Sequence, residues 1–291
     1  MGSDSILAGI GATVLAVALL VCGFAACCLP VTTASLASAM STGDASPYTH
    51  EELVPLAEAT RAFTVEPHRD TDAAEKELAQ TIVDAARSAS APDAPKADQW
   101  SEQAREALDA GATPLDAMEA LARASDRYAL DGAAMSHLEE CNAIITAASS
   151  WLGMIAVAAV IIVLLLAFRK QFAALAFMLR MGPALLLAVL VVLGLWGVFD
   201  FNGLFAAFHS LFFADGTWTF SYDSLLISMY PIDFWMGMGA VWIGAAVGLG
   251  LLCFAAGCLF AWKAQVQHRE LAEAAAAEAA RGKKGRTKGH R

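Results

Sequence analysis

The sequence predicts an all-α membrane protein with four transmembrane helices, an extracytoplasmic helical cap and an aromatic interfacial segment. Three observations predict this class. The chain of 291 residues is 57% hydrophobic, four long segments carry no formal charge, and basic residues gather on alternate connections. A helix needs about 20 apolar residues to cross a hydrocarbon core of roughly 30 Å, and each uncharged segment has room for one. Because a backbone in lipid must satisfy its own hydrogen bonds, we expect helices there.

We place the first span at residues 1–29, with its apolar core at 6–29. Its start, MGSDS, has no basic residues and its apolar run is long, so we expect an uncleaved anchor rather than a signal peptide. Five of the six cysteines lie within predicted spans, where cysteine behaves as a small apolar residue, and no disulfide framework is expected. The other three spans are predicted at 145–168, 182–199 and 236–262.

The basic residues predict the orientation. The connection 169–181 carries Arg169, Lys170 and Arg180 without an acid, and the tail 263–291 is strongly basic. By the positive-inside bias both lie in the cytoplasm of a multi-pass cell-membrane protein, and so do both termini. Segments 30–144 and 200–235 then lie outside. The tail is interpreted as a topology determinant or a contact for anionic lipid headgroups, and nucleic-acid binding is not predicted.

The outer segment 30–144 is predicted to form a small acidic cap with an insertion. Between residues 30 and 150 there are 21 Asp and Glu against 8 Lys and Arg. Thr49 to Glu52 has the pattern of a capping box, a second helix is expected near 72–87, and Thr113-Pro114 marks another helix start. Residues 88–98, rich in Ala, Ser and Pro, are predicted to form a linker. Large apolar residues are few, so we expect the cap to lean on the other outer loops.

The outer loop 200–235 is rich in aromatic residues. Its phenylalanines crowd a short predicted helix, and Trp218, Phe220 and Tyr222 follow. Tryptophan and tyrosine favour the boundary between membrane and water, because an apolar body and a polar tip are both accommodated there. We therefore predict an interfacial or re-entrant element at the level of the outer headgroups.

Two of the six histidines are placed where chemistry is possible. His137 lies a turn or two above the predicted second span, and His209 approaches the same plane from the aromatic loop. A purely structural role for both rings fits the spacing. His137 and Cys141 share a helix face, which also allows a metal site or a nucleophilic Cys–His pair. The remaining histidines are predicted to be surface or tail residues: His50, His68, His268 and His290.

Two segments carry a family resemblance. SHLEECNAII, starting at Ser136, and FHSLFFADGTWTFSYDSLLISMYPIDF, starting at Phe208, resemble paired motifs of the bacterial membrane family that includes the lipoprotein intramolecular transacylases. The likeness covers about 131–235 and the four-span layout. The chain has Ala133-Ala134 where the family is expected to have Arg-Glu, and Glu140 where it has Asp.

The resemblance implies acyl transfer within a single substrate. The sn-2 acyl chain of a diacylglyceryl-modified N-terminal cysteine would move to that cysteine's own α-amino group, leaving a lyso-form lipoprotein. His137 and His209 would act as a base and acid pair, since histidine titrates near neutral pH. Glu140 or Asp223 would orient a ring, and Trp218 would help to polarise the carbonyl. The residues expected to shelter the lipid are Phe205, Phe208, Phe212, Phe213 and Trp218.

These expectations name membrane lipids and diacylglyceryl lipoprotein N-termini as partners. They include neither a cofactor nor a metal, and they specify no oligomeric state. The alternative is a non-catalytic membrane interaction protein whose acidic cap binds an extracytoplasmic partner. A small-molecule transporter is disfavoured because the predicted spans contain no ionisable Asp, Glu, Lys, Arg or His, which carriers usually have.

Overall fold

The computed structural model describes residues 3–41, 46–66, 70–89 and 113–288, and all regular structure within them is helical. The all-helical prediction is therefore confirmed. Ten helices follow one another within these residues: α1 (Ser3–Cys27), α2 (Pro30–Met40), α3 (His50–Val65), α4 (Thr71–Ser88), α5 (Pro114–Ala124), α6 (Gly132–Phe168), α7 (Phe172–Phe199), α8 (Phe201–Ser210), α9 (Leu225–Met229) and α10 (Ile232–Lys288).

Four of these helices are long and apolar enough to cross a membrane, as predicted. The candidate spans are Asp4–Cys27, Gly132–Phe168, Phe172–Phe199 and Ile232–Glu278. Three of the helices extend beyond the predicted spans. Helix α7 begins at Phe172, so only three residues separate it from α6, and the chain turns there at Lys170 with φ of 54°.

Helix α6 has 37 residues, which corresponds to about 55 Å at roughly 1.5 Å per residue. That length exceeds the roughly 30 Å of a hydrocarbon core. The helix therefore has an apolar part that matches the predicted span 145–168 and a more polar first part. His137 lies in that first part.

The chain divides into two compact units. The first unit comprises Met1–Val21, Gly153–Val192 and Ala246–Arg291. Its buried core consists of leucines, alanines and a methionine from α1, α6, α7 and α10. Helices α1 and α7 approach closely at Gly182, where a Cβ atom would lie 2.9 Å from the side chain of Leu15. Exposed apolar side chains cover much of the rest of these helices, as lipid contact requires.

The second unit comprises Cys22–Leu152 and Leu193–Ala245. Within it α2 packs on α3, α3 on α4, and α4 on α5. Helices α3, α4 and α5 each bury one apolar face. The buried side chains include Leu53 and Phe63 on α3, Leu78 and Ile82 on α4, and Leu121 on α5. The same core includes Leu225, Met229 and Phe234, which follow the aromatic loop. The small helices therefore complete their core with residues from that part of the chain.

The helix starts predicted for this unit have the expected caps. The Thr49 side chain accepts from the Glu52 backbone N–H, the Glu52 carboxylate accepts from the Thr49 N–H, and Thr113 and Asp116 repeat this pattern at α5. Residues of the predicted linker beyond Ala89, as well as His68 and His290, lie outside the described residues.

Four long-range hydrogen bonds position the start of α6. The Tyr48 hydroxyl donates to the Tyr128 carbonyl at 2.6 Å, and the Leu225 N–H donates to the Asp126 carbonyl at 2.8 Å. The Asn142 amide donates to the carbonyls of Thr64 at 3.2 Å and Glu66 at 2.9 Å. The segment before α6, and α6 itself, are thus attached to α3 and α9.

We expect Tyr48→Phe to lower the free energy of unfolding by about 1 kcal/mol, because it removes a buried hydrogen-bond donor from the Tyr128 carbonyl. Tyr48 is 0% exposed, whereas Tyr222 is 79% exposed, so Tyr222→Phe is the matched control and should change little. Thermal unfolding in detergent measures both. Equal melting temperatures for the two variants would contradict the structural role of this hydroxyl.

Candidate active site

His137 is carried by the second turn of α6. The Asp131 carboxylate accepts a hydrogen bond from the Ala134 N–H at 2.8 Å and so caps the start of this helix. The imidazole that follows is buried, with 8% of its surface exposed. Its ring lies 4.6 Å from Phe213 and 5.6 Å from Phe220, measured between ring centroids. The capped start of α6 thus directs one imidazole into aromatic surroundings.

His209 lies in the last turn of α8. Asp200 caps the start of this helix by accepting from the Gly203 N–H at 2.8 Å. The His209 Nδ1 atom lies 2.8 Å from the carbonyl oxygen of Phe205, one turn earlier. Since a carbonyl oxygen can only accept, Nδ1 carries a proton. In the neutral ring Nε2 therefore has a free lone pair.

The two imidazoles lie together, although 72 positions separate them in the sequence. Their ring centroids are 6.1 Å apart and the ring planes are inclined by 28°. Phe213 contacts both rings, at 4.6 Å from His137 and 5.8 Å from His209. The structure thus brings together the two histidines that the sequence singled out.

The remaining aromatic residues proposed for the site surround His209. Phe205 covers its ring at 4.0 Å, and Trp218 stacks on it at 4.9 Å with an interplanar angle of 29°. The Trp218 Nε1 atom is buried and has no hydrogen-bond partner within the described part of the chain. Phe208 and Phe212 contact each other at 5.2 Å and are half exposed, at 51% and 49%. The cluster therefore has an inner part against the imidazole and an exposed apolar edge.

The two carboxylates considered as supports occupy other positions. Asp223 forms an ion pair with Arg127 at 3.0 Å, and Glu140 is exposed. Among the described residues, no hydrogen bond or ion pair joins either carboxylate to His137 or His209. The polar partner of His137 is instead Cys141, whose Sγ atom lies 3.6 Å from Nε2. Nowhere in the described ranges do three or more potential metal ligands gather.

Burial determines the charge state of His209. Loss of solvent lowers the pKa of its imidazole below the ordinary value of 6.5, and the hydrogen bond to the Phe205 carbonyl opposes this effect only in part. The ring is therefore predominantly neutral at pH 7. A neutral imidazole with a free Nε2 can accept a proton from a substrate amine.

A cavity of about 150 Å³ adjoins Phe220, which also contacts His137. Its walls include Asp126, Asp131, Ala134 and Ser221, and neither imidazole is among its lining residues.

Sequence reasoning did not assign two aromatic residues that contact the site. Phe220 contacts His137, and Trp235 lies 5.9 Å from Phe205. Phe220 lies within the second sequence motif, which was the available signal, whereas Trp235 follows the last residue of that motif. The contact of Phe220 arises from the path of residues 211–224, which contains turns rather than one helix and has no periodicity to follow.

Fold and site together define a helical membrane protein in which two neighbouring imidazoles lie in an aromatic cluster. A family model described as "Lipoprotein intramolecular transacylase Lit" matches residues 115–235. The match confirms the resemblance predicted from the sequence and supports a Lit-like family for this chain. The matched segment contains both histidines and all five aromatic residues proposed to shelter lipid. No curated protein and no solved structure matches the chain.

Phe205→Ala should raise the pKa of His209 toward its ordinary value, because removing the covering ring admits water that stabilises the imidazolium. The backbone carbonyl that accepts from Nδ1 is retained. An NMR titration of the histidine ring protons in detergent measures this shift, with His209→Asn used to assign the resonance. Phe201→Ala is the matched control, since Phe201 packs on Phe205 from the preceding turn. A pKa that stays at the wild-type value in Phe205→Ala would contradict burial as its cause.

Proposed function

We propose that this protein is a membrane acyltransferase that moves the sn-2 acyl chain of a diacylglyceryl-cysteine lipoprotein to that cysteine's own amino group. The family match supports a lipoprotein transacylase in general, with a lipoprotein substrate and membrane lipids as partners. The observation that carries the specific proposal is the 6.1 Å separation of two imidazoles, one buried and one half-buried, within one aromatic cluster.

The reaction removes two protons from the substrate nitrogen. The α-ammonium group transfers the first proton to Nε2 of His209 and becomes a nucleophilic amine, and the ring passes this proton to solvent. The nitrogen attacks the sn-2 ester carbonyl, a C–N bond forms, and Nε2 accepts the second proton from this nitrogen. The ester C–O bond then breaks, and the glyceryl oxygen leaves with the proton that Nε2 holds. The products are an N-terminal amide, a free sn-2 hydroxyl and one proton in solvent, and both imidazoles end neutral.

His137 is the second imidazole of this proposal. Its ring is buried, and its centroid lies 4.6 Å from that of Phe213, which also contacts His209. Negative charge develops on the carbonyl oxygen and then on the glyceryl oxygen. An imidazole N–H and the free Nε1–H of Trp218 are suitable donors for that charge, since donors aimed at developing charge lower the barrier.

The aromatic residues supply alignment rather than bond chemistry. Nucleophile and ester belong to one molecule, so no serine or cysteine nucleophile of the enzyme is needed. What limits such a reaction is the fraction of time in which the amine meets the carbonyl, and holding them together contributes a large rate enhancement. The exposed apolar edge of Phe208 and Phe212 is suited to acyl chains, and the inner rings limit water around the ester.

The proposed topology places this site on the extracytoplasmic side. Four candidate spans support a membrane protein, and the basic connection and tail favour cytoplasmic termini. Segments 30–144 and 200–235 then both reach the outer surface, where the N-termini of exported lipoproteins lie. The aromatic loop would rest at the level of the outer headgroups.

The alternative, a non-catalytic interaction protein, is less well supported. An interaction surface does not require a buried and a half-buried imidazole side by side, each with one ring nitrogen that no described protein group uses. Burying polar groups without partners costs free energy, and sites that persist at this cost are typically functional.

His209→Asn should reduce the conversion of diacyl to lyso-form lipoprotein by at least about 100-fold, the usual effect of removing a general base. Asparagine can still donate to the Phe205 carbonyl but has no basic nitrogen. Mass spectrometry of lipoprotein N-termini from cells with each variant measures the conversion. His268→Asn, an exposed substitution on α10, is the matched control and should retain full conversion.

His137→Asn is expected to reduce conversion as well, and detergent melting curves show whether each variant is folded. Full conversion by folded His209→Asn would remove His209 from the mechanism. An acylation pattern that is the same with and without the wild-type protein would instead favour the interaction protein.

A further inference from the structure

His137 has one ring nitrogen without a hydrogen-bond partner in the part of the chain that the structure describes. The residue is 8% exposed, and its Nδ1 atom is buried without a hydrogen-bond partner among the described residues. A buried polar atom of this kind costs free energy, so its retention calls for an explanation. Phe213 and Phe220 contact the ring but offer no conventional acceptor. The nitrogen therefore has a hydrogen-bonding capacity that no described protein group uses.

The other ring nitrogen has a partner within the same helix. Nε2 lies 3.6 Å from the Cys141 sulfur, one turn further along α6. The pKa of a free cysteine thiol is about 8.5, so a thiol at pH 7 still holds its proton. The thiol can donate this proton to an imidazole lone pair. The reverse arrangement would direct an imidazole N–H at a thiol sulfur, which is a weak acceptor.

We propose that Cys141 is a positioning residue that holds His137 in the tautomer with its proton on Nδ1. His137 then acts as a neutral hydrogen-bond donor to the ester oxygen that becomes negative during acyl transfer. This inference rests on the proposed function and assigns a distinct role to each imidazole. The thiol keeps its proton throughout, and no bond to sulfur forms or breaks.

The environment of His209 makes the two roles complementary. There the Phe205 carbonyl holds the proton on Nδ1 and leaves Nε2 as the acceptor. In His137 the Cys141 thiol occupies Nε2 and leaves Nδ1 as the donor. Two rings 6.1 Å apart thus offer a substrate one acceptor nitrogen and one donor nitrogen. Proton removal from the amine and stabilisation of the carbonyl oxygen require these two functions.

The test compares Cys141→Ser with Cys141→Ala. Serine keeps a hydroxyl that can donate to Nε2, whereas alanine keeps the helix and removes the donor. Nitrogen-15 NMR of histidine-labelled protein in micelles reports which ring nitrogen carries the proton, with His137→Asn used to assign the signal. We expect the wild type and the serine variant to show a protonated Nδ1. We expect the alanine variant to shift toward protonation of Nε2.

Conversion of diacyl to lyso-form lipoprotein should follow the same order. We expect the rate of the alanine variant to fall by at least about tenfold, because it loses one hydrogen bond that stabilises the transition state. The serine variant should convert lipoprotein at nearly the wild-type rate. If the alanine variant does not fold, Cys141→Val removes the donor while filling the space. An Nε2-protonated ring in the wild type, or alanine and wild type alike in tautomer and rate, would overturn the proposal.

Two further outcomes separate this inference from its alternatives. Loss of conversion in both variants, together with a hydroxylamine-labile acyl group on wild-type Cys141, would indicate a nucleophile and overturn the positioning role. If the wild type converts no lipoprotein, the proposed function fails. The NMR comparison still decides whether Cys141 sets the tautomer of His137.

Discussion

The contact of two imidazoles with one phenyl ring is the constraint on which the site depends. Phe213 contacts both His137 and His209, and the rings lie 6.1 Å apart. Two imidazolium ions at this distance in apolar surroundings would repel each other and lose their hydration. Both effects favour the neutral rings, which are the forms that accept a proton and donate a hydrogen bond at pH 7. The aromatic environment thus has a chemical consequence beyond the lipid it can shelter.

The scaffold meets this constraint by anchoring α6 at several points. The Asp131 cap starts the helix, and Asn142 bonds to the carbonyls at the end of α3, one turn or so beyond His137. The apolar remainder of the helix is a candidate membrane span. The same helix therefore carries both a candidate span and one of the two imidazoles. The second imidazole comes from α8, a short helix of ten residues. None of its side chains is fully buried.

The four apolar helices and the caps at Thr49 and Thr113 could be predicted because each depends on local sequence. A hydrocarbon core requires long uncharged segments, and a capping box requires two side chains three residues apart. The pairing of His137 with His209 was predicted from their common height above the spans and from the family resemblance. The partner of His137 was harder to assign. Cys141 was placed on the same helix face by its spacing, but spacing alone allows a ligand, a nucleophile or a packed thiol.

The positions of Asp223 and Phe220 could not be predicted, because they depend on the irregular path of residues 211–224. Asp223 was considered as a partner of an imidazole, and the structure pairs it with Arg127 instead. Arg127 itself lies in the short connection between α5 and α6, where no periodicity fixes the direction of a side chain. Long-range pairing of charged residues between two loops depends on tertiary packing, and the sequence has no local signal for it.

The absence of a carboxylate beside either imidazole, within the residues described, favours a particular kind of proton transfer. In catalytic triads a buried acid stabilises the imidazolium that forms when serine is deprotonated, a step that requires a strong base. The pKa of an α-ammonium group is about 7.7 to 8.0, so a much weaker base can remove its proton than is needed for a serine hydroxyl. A neutral, partly desolvated imidazole held by a backbone carbonyl is sufficient for that task. A carboxylate at the same position would raise the pKa of His209 and keep the ring protonated, which would remove the lone pair that the amine requires. The environment of His209 is therefore suited to an amine nucleophile rather than to an activated hydroxyl.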